Sequence, residues 1–177
     1  LYGKWGEADV QDVVRGAEHL VDEGLADPDK LVVMGGSAGG YTVLQALVNH
    51  PGFFAAGISM YGISNLFSLA KDTHKFEQHY NGSLIGSLPE ASDKFRERSP
   101  LFHADQIEDP VGVFQGAKDK VVPKDQADQI VETLQRQGVP HVYEVYEEEG
   151  HGWRQSDTIE KFYTSVLDFI EQHVLFQ

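Results

Sequence analysis

Residues 31–41 read Leu-Val-Val-Met-Gly-Gly-Ser-Ala-Gly-Gly-Tyr. A continuous apolar run ends in a glycine-flanked serine and passes at once into helix-periodic sequence, and few patterns constrain a fold more tightly. Gly35, Ser37 and Gly39 make the G-x-S-x-G arrangement of a strand–turn–helix elbow. Such a turn puts its central residue in a strained backbone conformation, and side chains on the flanking residues would collide there. It also lifts the serine hydroxyl clear of the sheet and aims the N–H of Ala38, the first helical residue, at any oxyanion forming beside it.

The same alternation runs along the rest of the chain. Val10, Val13, Val14, Ala17, Leu20 and Val21 fall on one helical stripe, stopped by Gly24. A helix is expected over 38–49. Residues 55–61, 110–116 and 141–147 read as three further strands. Ala127, Ile130, Val131 and Leu134 mark one more amphipathic helix, and Ile159, Phe162, Tyr163, Val166, Leu167 and Ile170 mark the last. Residues 62–100 are irregular and read as short helices and loops of the kind that cap a site. Strands alternating with helices predict an α/β fold, a mostly parallel sheet with helices on both faces, whose function sits beyond the carboxyl ends of the strands.

With 177 residues, 41% of them hydrophobic, one domain with its own core is expected. No apolar run is long enough to span a membrane. A net charge of −14 argues against nucleic-acid or anionic-membrane partners; it reads as a solvated acidic surface, or as a preference for cationic substrates. The absence of cysteine excludes disulfides, thiolate metal sites and a cysteine nucleophile. It leaves the compartment open, with the cytoplasm the favoured expectation. The chain starts at Leu1 and runs straight into helical sequence, as a piece of something longer would. Residues 174–177 look like a tag remnant, leaving 1–173 as the domain.

A serine needs a base to take its proton, and the base needs a partner to hold its tautomer. The third strand leads into Gly116-Ala117-Lys118-Asp119, and the fourth into Glu149-Gly150-His151-Gly152. Ser37, Asp119 and His151 thus lie just past strand ends, in the chain order of the α/β-hydrolases. His74, Glu77 and His79 are spaced poorly for one metal-binding helical face, and neither a metal nor a cofactor is expected. Glu147–Glu149 would surround the base with negative charge, or form a solvated strand end. Arg154 would meet a substrate carboxylate, or pair with that acidic run. Phe67, Phe76 and Tyr80 are candidate pocket walls or core residues.

The chain resembles the prolyl oligopeptidase family of serine peptidases, most of all its acylaminoacyl and dipeptidyl peptidase branch, over nearly its whole length. The resemblance rests on Trp5-Gly6-Glu7 with Asp9 and Asp12, on residues 35–41, on Ser99-Pro100, on Gln115 to Pro123 and on Glu149 to Arg154. It implies the C-terminal part of an α/β-hydrolase fold without its upstream strands. It further implies Ser37 as nucleophile, Asp119 as orienting carboxylate and His151 as general base, then acid. Gly36 and Tyr41 would line the elbow, Tyr41 alternatively being plain core, and Val121 and Val122 would help place the Asp119 loop. Family members often carry histidine where Gln115 stands, a change expected to leave the chemistry alone.

The resemblance also implies that the usual second oxyanion donor comes from the upstream segment; losing one such donor costs on the order of 10²–10³ in turnover. The expected substrate is a peptide or acyl-peptide. A carboxylesterase of the same fold, or an idle fragment completed by the upstream part, are the alternatives. Without an upstream strand, Leu31–Met34 would form an exposed apolar edge able to pair antiparallel with a second copy.

Overall fold

The computed structural model describes residues 1–72 and 80–176. Four strands, β1 (Val32–Gly36), β2 (Ala56–Met60), β3 (Val111–Gly116) and β4 (His141–Tyr146), form one parallel sheet in the order β1-β2-β3-β4. The register pairs Met34 with Ile58, Ile58 with Gly112 and Gly112 with Val142. Sequential parallel strands demand crossovers, which are supplied by α2 (Ala38–Asn49) after β1 and α6 (Lys124–Gln137) after β3. The β2–β3 connection carries α3 (Leu66–Asp72), α4 (Tyr80–Leu84) and α5 (Ser92–Glu97), the short helices foreseen over 62–100. Helix α1 (Ala8–Asp22) precedes the sheet and α7 (Ser156–Ile170) closes the chain.

Because the sheet is covered on both sides, its side chains alternate between two apolar layers. Val33, Val111 and Val113 pack with Val10, Val14, Leu44, Leu47, Ile130 and Leu134 on one side. Ala56, Ile58, Phe114 and Tyr146 pack with Phe162, Val166 and Phe169 of α7 on the other. Two predicted stripes are narrower than expected. Leu20 is exposed at the end of α1, and on α7 Ile159, Tyr163 and Leu167 face solvent while Phe162, Val166 and Phe169 are buried. A single helical column is buried in each case, against α2 for α1 and against the sheet for α7, so the neighbouring column stays outside. The packed chain also runs beyond residue 173: a π turn over Glu171–Leu175 carries Val174 into the second layer.

A third cluster lies over the carboxyl end of the sheet: Trp5, Tyr41, Ile63, Leu66, Ile85, Phe95 and Val122. The N-terminal segment is bound into it. Gly6 has φ +81°, and any side chain there would run into the Tyr41 hydroxyl. The Gly6 N–H and the Thr42 hydroxyl both donate to Asp9, and the Arg98 guanidinium donates to the carbonyls of Gly3 and Trp5. β1 takes an outer place in the sheet, with Met34 exposed. Among the described residues no helix is long and apolar enough to cross a membrane.

Candidate active site

The elbow forms where β1 meets α2. Ser37, between them, has φ 57° and ψ −119°, a conformation a non-glycine residue rarely adopts. It is held by its own N–H donating to the Met60 carbonyl and by the Tyr41 N–H donating to the Ser37 carbonyl. A Cβ on Gly35 would stand 2.5 Å from the Gly39 carbonyl oxygen, so the first turn of α2 passes directly over that glycine. Gly36 is confined by the Tyr61 ring, and Gly40 by the backbone of Gly62 and Met60. Gly39 differs from the sequence expectation: a side chain there would meet nothing, because that position faces open space while its backbone crosses Gly35. Tyr41 turns away from the elbow into the core, where its hydroxyl donates to the Arg98 carbonyl at 2.9 Å and its ring packs on Trp5. Burial raises its phenol pKa far above the usual value, with Asp9 adding to the rise and Arg98 opposing it.

Past β3, the buried Asp119 carboxylate is fixed from several directions. Its Oδ1 accepts the N–H groups of Val121 and Val122 at 2.8 and 2.9 Å, and its Oδ2 lies 2.8 Å from His151 Nδ1. Gln115, whose replacement of histidine was expected to leave the chemistry alone, bears on the same oxygen. Its Nε2 donates to the Val122 carbonyl at 3.0 Å and, in a longer bond of 3.4 Å, to Asp119 Oδ2. The far nitrogen of the imidazole, His151 Nε2, lies 2.8 Å from Ser37 Oγ. The three residues separated by up to 114 positions in sequence thus form one hydrogen-bonded line.

The His151 loop is tied down by Glu149. This residue is 2% exposed rather than part of a solvated strand end, unlike its exposed neighbours Glu147 and Glu148. Its carboxylate turns from His151 and accepts the N–H groups of Arg154 and Gln155 at the entrance to α7. Burial opposes its charge, but those N–H groups, the Thr158 hydroxyl and the Arg154 charge outweigh burial and hold its pKa below the carboxylate range. The Glu149 carbonyl in turn accepts the Lys118 N–H, locking the two loops together, and the exposed Lys118 side chain pairs with Glu148. Gly116 allows this approach, since a side chain there would strike the Gly150 carbonyl.

One residue at the site left no mark in the sequence. Tyr61, expected to close the second strand, leaves it with φ +39° and lays its ring 4.8 Å, centroid to centroid, from the His151 ring. Burial, then the Asp119 charge, raises the pKa of its phenol. Phe67 packs on Phe95 and Phe102. His74, Phe76, Glu77, His79 and the Tyr80 side chain lie outside the described residues.

Comparison with known proteins places the chain in a family. The chain is 34% identical over 176 residues to dipeptidyl peptidase family member 6 of Caenorhabditis elegans, covering 96% of this chain and 24% of that protein. It is 30% identical over 158 residues to the acylamino-acid-releasing enzyme of Arabidopsis thaliana, covering 85% and 21%. Among solved structures, a puromycin-hydrolyzing peptidase of Mycobacterium tuberculosis superposes with a TM-score of 0.95 at 42% identity, over all of this chain and 27% of that one. The chain therefore spans about a quarter of the length of these relatives. Residues 1–176 match the prolyl oligopeptidase family along essentially their whole length, and the chain belongs to that family of serine peptidases.

Proposed function

We propose that this chain carries the nucleophile, base and orienting carboxylate of a serine peptidase that cleaves through an acyl-enzyme on Ser37. The observation that carries the reading is the unbroken line from Asp119 through His151 to Ser37, with 2.8 Å at both links. Ser37 Oγ attacks the substrate carbonyl carbon as its proton passes to His151 Nε2. Asp119 stabilises the resulting imidazolium and keeps Nδ1 protonated. The N–H of Ala38, at the start of α2, donates to the tetrahedral oxyanion. His151 then gives the proton to the leaving nitrogen, the C–N bond breaks and the acyl group stays on Ser37. Water, deprotonated by the same imidazole, releases the acid and restores the serine.

The names of its relatives, a dipeptidyl peptidase family member and an acylamino-acid-releasing enzyme, support a peptide or acyl-peptide substrate for this site. The test is intact mass after exposure to a fluorophosphonate, with Ser37→Ala alongside. One adduct on the parent chain and none on the folded variant supports the reading; equal labelling of both would sink it. Rates on peptide anilides and short acyl esters then separate a peptidase from a carboxylesterase.

A further inference from the structure

Among the described residues, only two non-glycine residues have positive φ: Ser37 at 57° and Tyr61 at 39°. The first is the proposed nucleophile. Left-handed backbone on a bulky aromatic residue is unfavourable and persists only where the surroundings impose it. Here they do. The Tyr61 N–H donates to the Phe114 carbonyl at 2.7 Å, and the adjacent Met60 carbonyl accepts the Ser37 N–H. Each of the four strands thus sends one residue past its carboxyl end into the site: Ser37 from β1, Tyr61 from β2, Asp119 from β3 and His151 from β4.

The Tyr61 ring does three things there. It lies 4.8 Å from the His151 ring at an interplanar angle of 59°. It stands edge-on to Trp153 at 5.1 Å, and Trp153 packs in turn on Tyr146 of β4. It also fills the space beside Gly36, where a Cβ would come 2.9 Å from its ring and hydroxyl. The two nitrogens of His151 meet Asp119 and Ser37, but its side chain is 24% exposed and can leave that line by rotating about Cα–Cβ and Cβ–Cγ. A packed aromatic wall removes that freedom.

Resting on the catalytic reading above, we propose that Tyr61 is a positioning residue. Its ring fixes the plane of the His151 imidazole between Asp119 and Ser37, and its π electrons favour the imidazolium formed during the reaction. The reach of a cation–π contact, about 6 Å, includes the observed separation. The hydroxyl is not required, and no chemistry passes through it.

Three variants and two readouts test this. Tyr61→Phe keeps the ring. Tyr61→Leu keeps the bulk and the backbone strain. Tyr61→Gly suits the φ of the site and guards against a misfolded leucine variant. The first readout is the fluorophosphonate labelling rate. It is expected within about twofold of the parent for Phe, and on the order of tenfold or more slower for Leu and Gly. The second is the proton NMR signal of His151 Nδ1–H, assigned with His151→Gln, which needs no turnover. It is expected to persist in Phe and to broaden or vanish in Leu and Gly. A parent chain that shows the signal but does not label defeats the catalytic reading alone. The present inference is overturned if folded Leu and Gly variants keep the parent signal and rate, or if Phe loses as much as Leu.

Discussion

At the amino end of the sheet, Asp109 is 5% exposed just before β3 and takes one N–H, that of Gly52, on both carboxylate oxygens. At the carboxyl end, Glu149 is 2% exposed just past β4 and takes the N–H groups of Arg154 and Gln155. The two residues expose similarly little surface, and their pKa values move in opposite directions. For Asp109, burial wins over the N–H groups of Gly52 and of Asp109 itself, and the Glu108 charge adds to it, so its pKa is raised. For Glu149, several donors and the Arg154 charge overcome burial, and its pKa is lowered. Residue exposure alone therefore does not set the cost of a buried charge; the depth of the carboxyl group itself and the donors converging on it both count. The carboxyl end is rich in such donors because helices begin there and loops fold back, and Asp119 of the proposed site draws on that supply.

The sharpest way to break this comparison is to alter a carboxylate at each end and read a rate. Asp119→Asn leaves the fold intact but presents an amide to His151 Nδ1, so the wrong tautomer is favoured. Labelling by a fluorophosphonate is expected to slow by about 10⁴-fold, while Asp109→Asn, at the far end, leaves it unchanged. Comparable slowing in both variants would mean that the two ends are not functionally distinct.

Next in size is a stability effect. Glu149→Ala leaves part-buried N–H groups at the entrance to α7 without their acceptor and should cost about 2 kcal/mol in denaturant unfolding. Glu149→Gln keeps an acceptor and should cost about 1 kcal/mol. The sign with pH follows from the lowered folded value. Stability from the glutamate is complete above its ordinary value of 4.5 and is lost as pH falls through the folded one. The gap between parent and Gln variant should therefore close in acid. A gap that widens there would show that the carboxylate is not held charged by its donors.

These residues differ in how far they could be read from sequence. β2 and β3 were legible because burial on both faces leaves apolar runs, β1 from its apolar run and β4 from its tyrosines and valines, and the short loops beyond them put Ser37, Asp119 and His151 at neighbouring ends of one sheet. Tyr61 was not legible. An aromatic residue closing a buried run has the pattern of core, and its left-handed φ is imposed by hydrogen bonds to other strands rather than by a local glycine or asparagine. Glu149 was hidden by Glu147 and Glu148: three successive acids read as solvated, and only tertiary folding turns the third one inward. On α7 the apolar stripe identified the helix but not which of its two columns meets the sheet. Gln115 was read as a neutral departure because its role depends on a side chain four residues on.

Gln115 gives a smaller expected effect. Its amide supports Asp119 and the Val122 carbonyl, but its Oε1 is buried without a hydrogen bond. Gln115→Leu removes a donor and an unsatisfied acceptor together, so unfolding free energy should change by less than about 1 kcal/mol. Labelling should slow by about fivefold as the Asp119 carboxylate loses one of its supports. A leucine variant as fast as the parent would show that the 3.4 Å contact to Asp119 contributes nothing.

The smallest effect returns to the amino end and has the opposite sign. Because its folded pKa is raised, Asp109 contributes stability below its ordinary value of 3.8, and this is lost as pH rises through the folded value. At neutral pH the carboxylate is a buried charge with too few donors. Asparagine keeps an oxygen for the Gly52 N–H and removes the charge, so Asp109→Asn should be more stable than the parent by up to about 1 kcal/mol at pH 7. The advantage should disappear in urea melts below pH 3.8, where the parent is protonated as well. A variant less stable by the same amount at both pH values would mean that the second oxygen on Gly52 matters more than the charge, and that donor supply is not what distinguishes the two ends of the sheet.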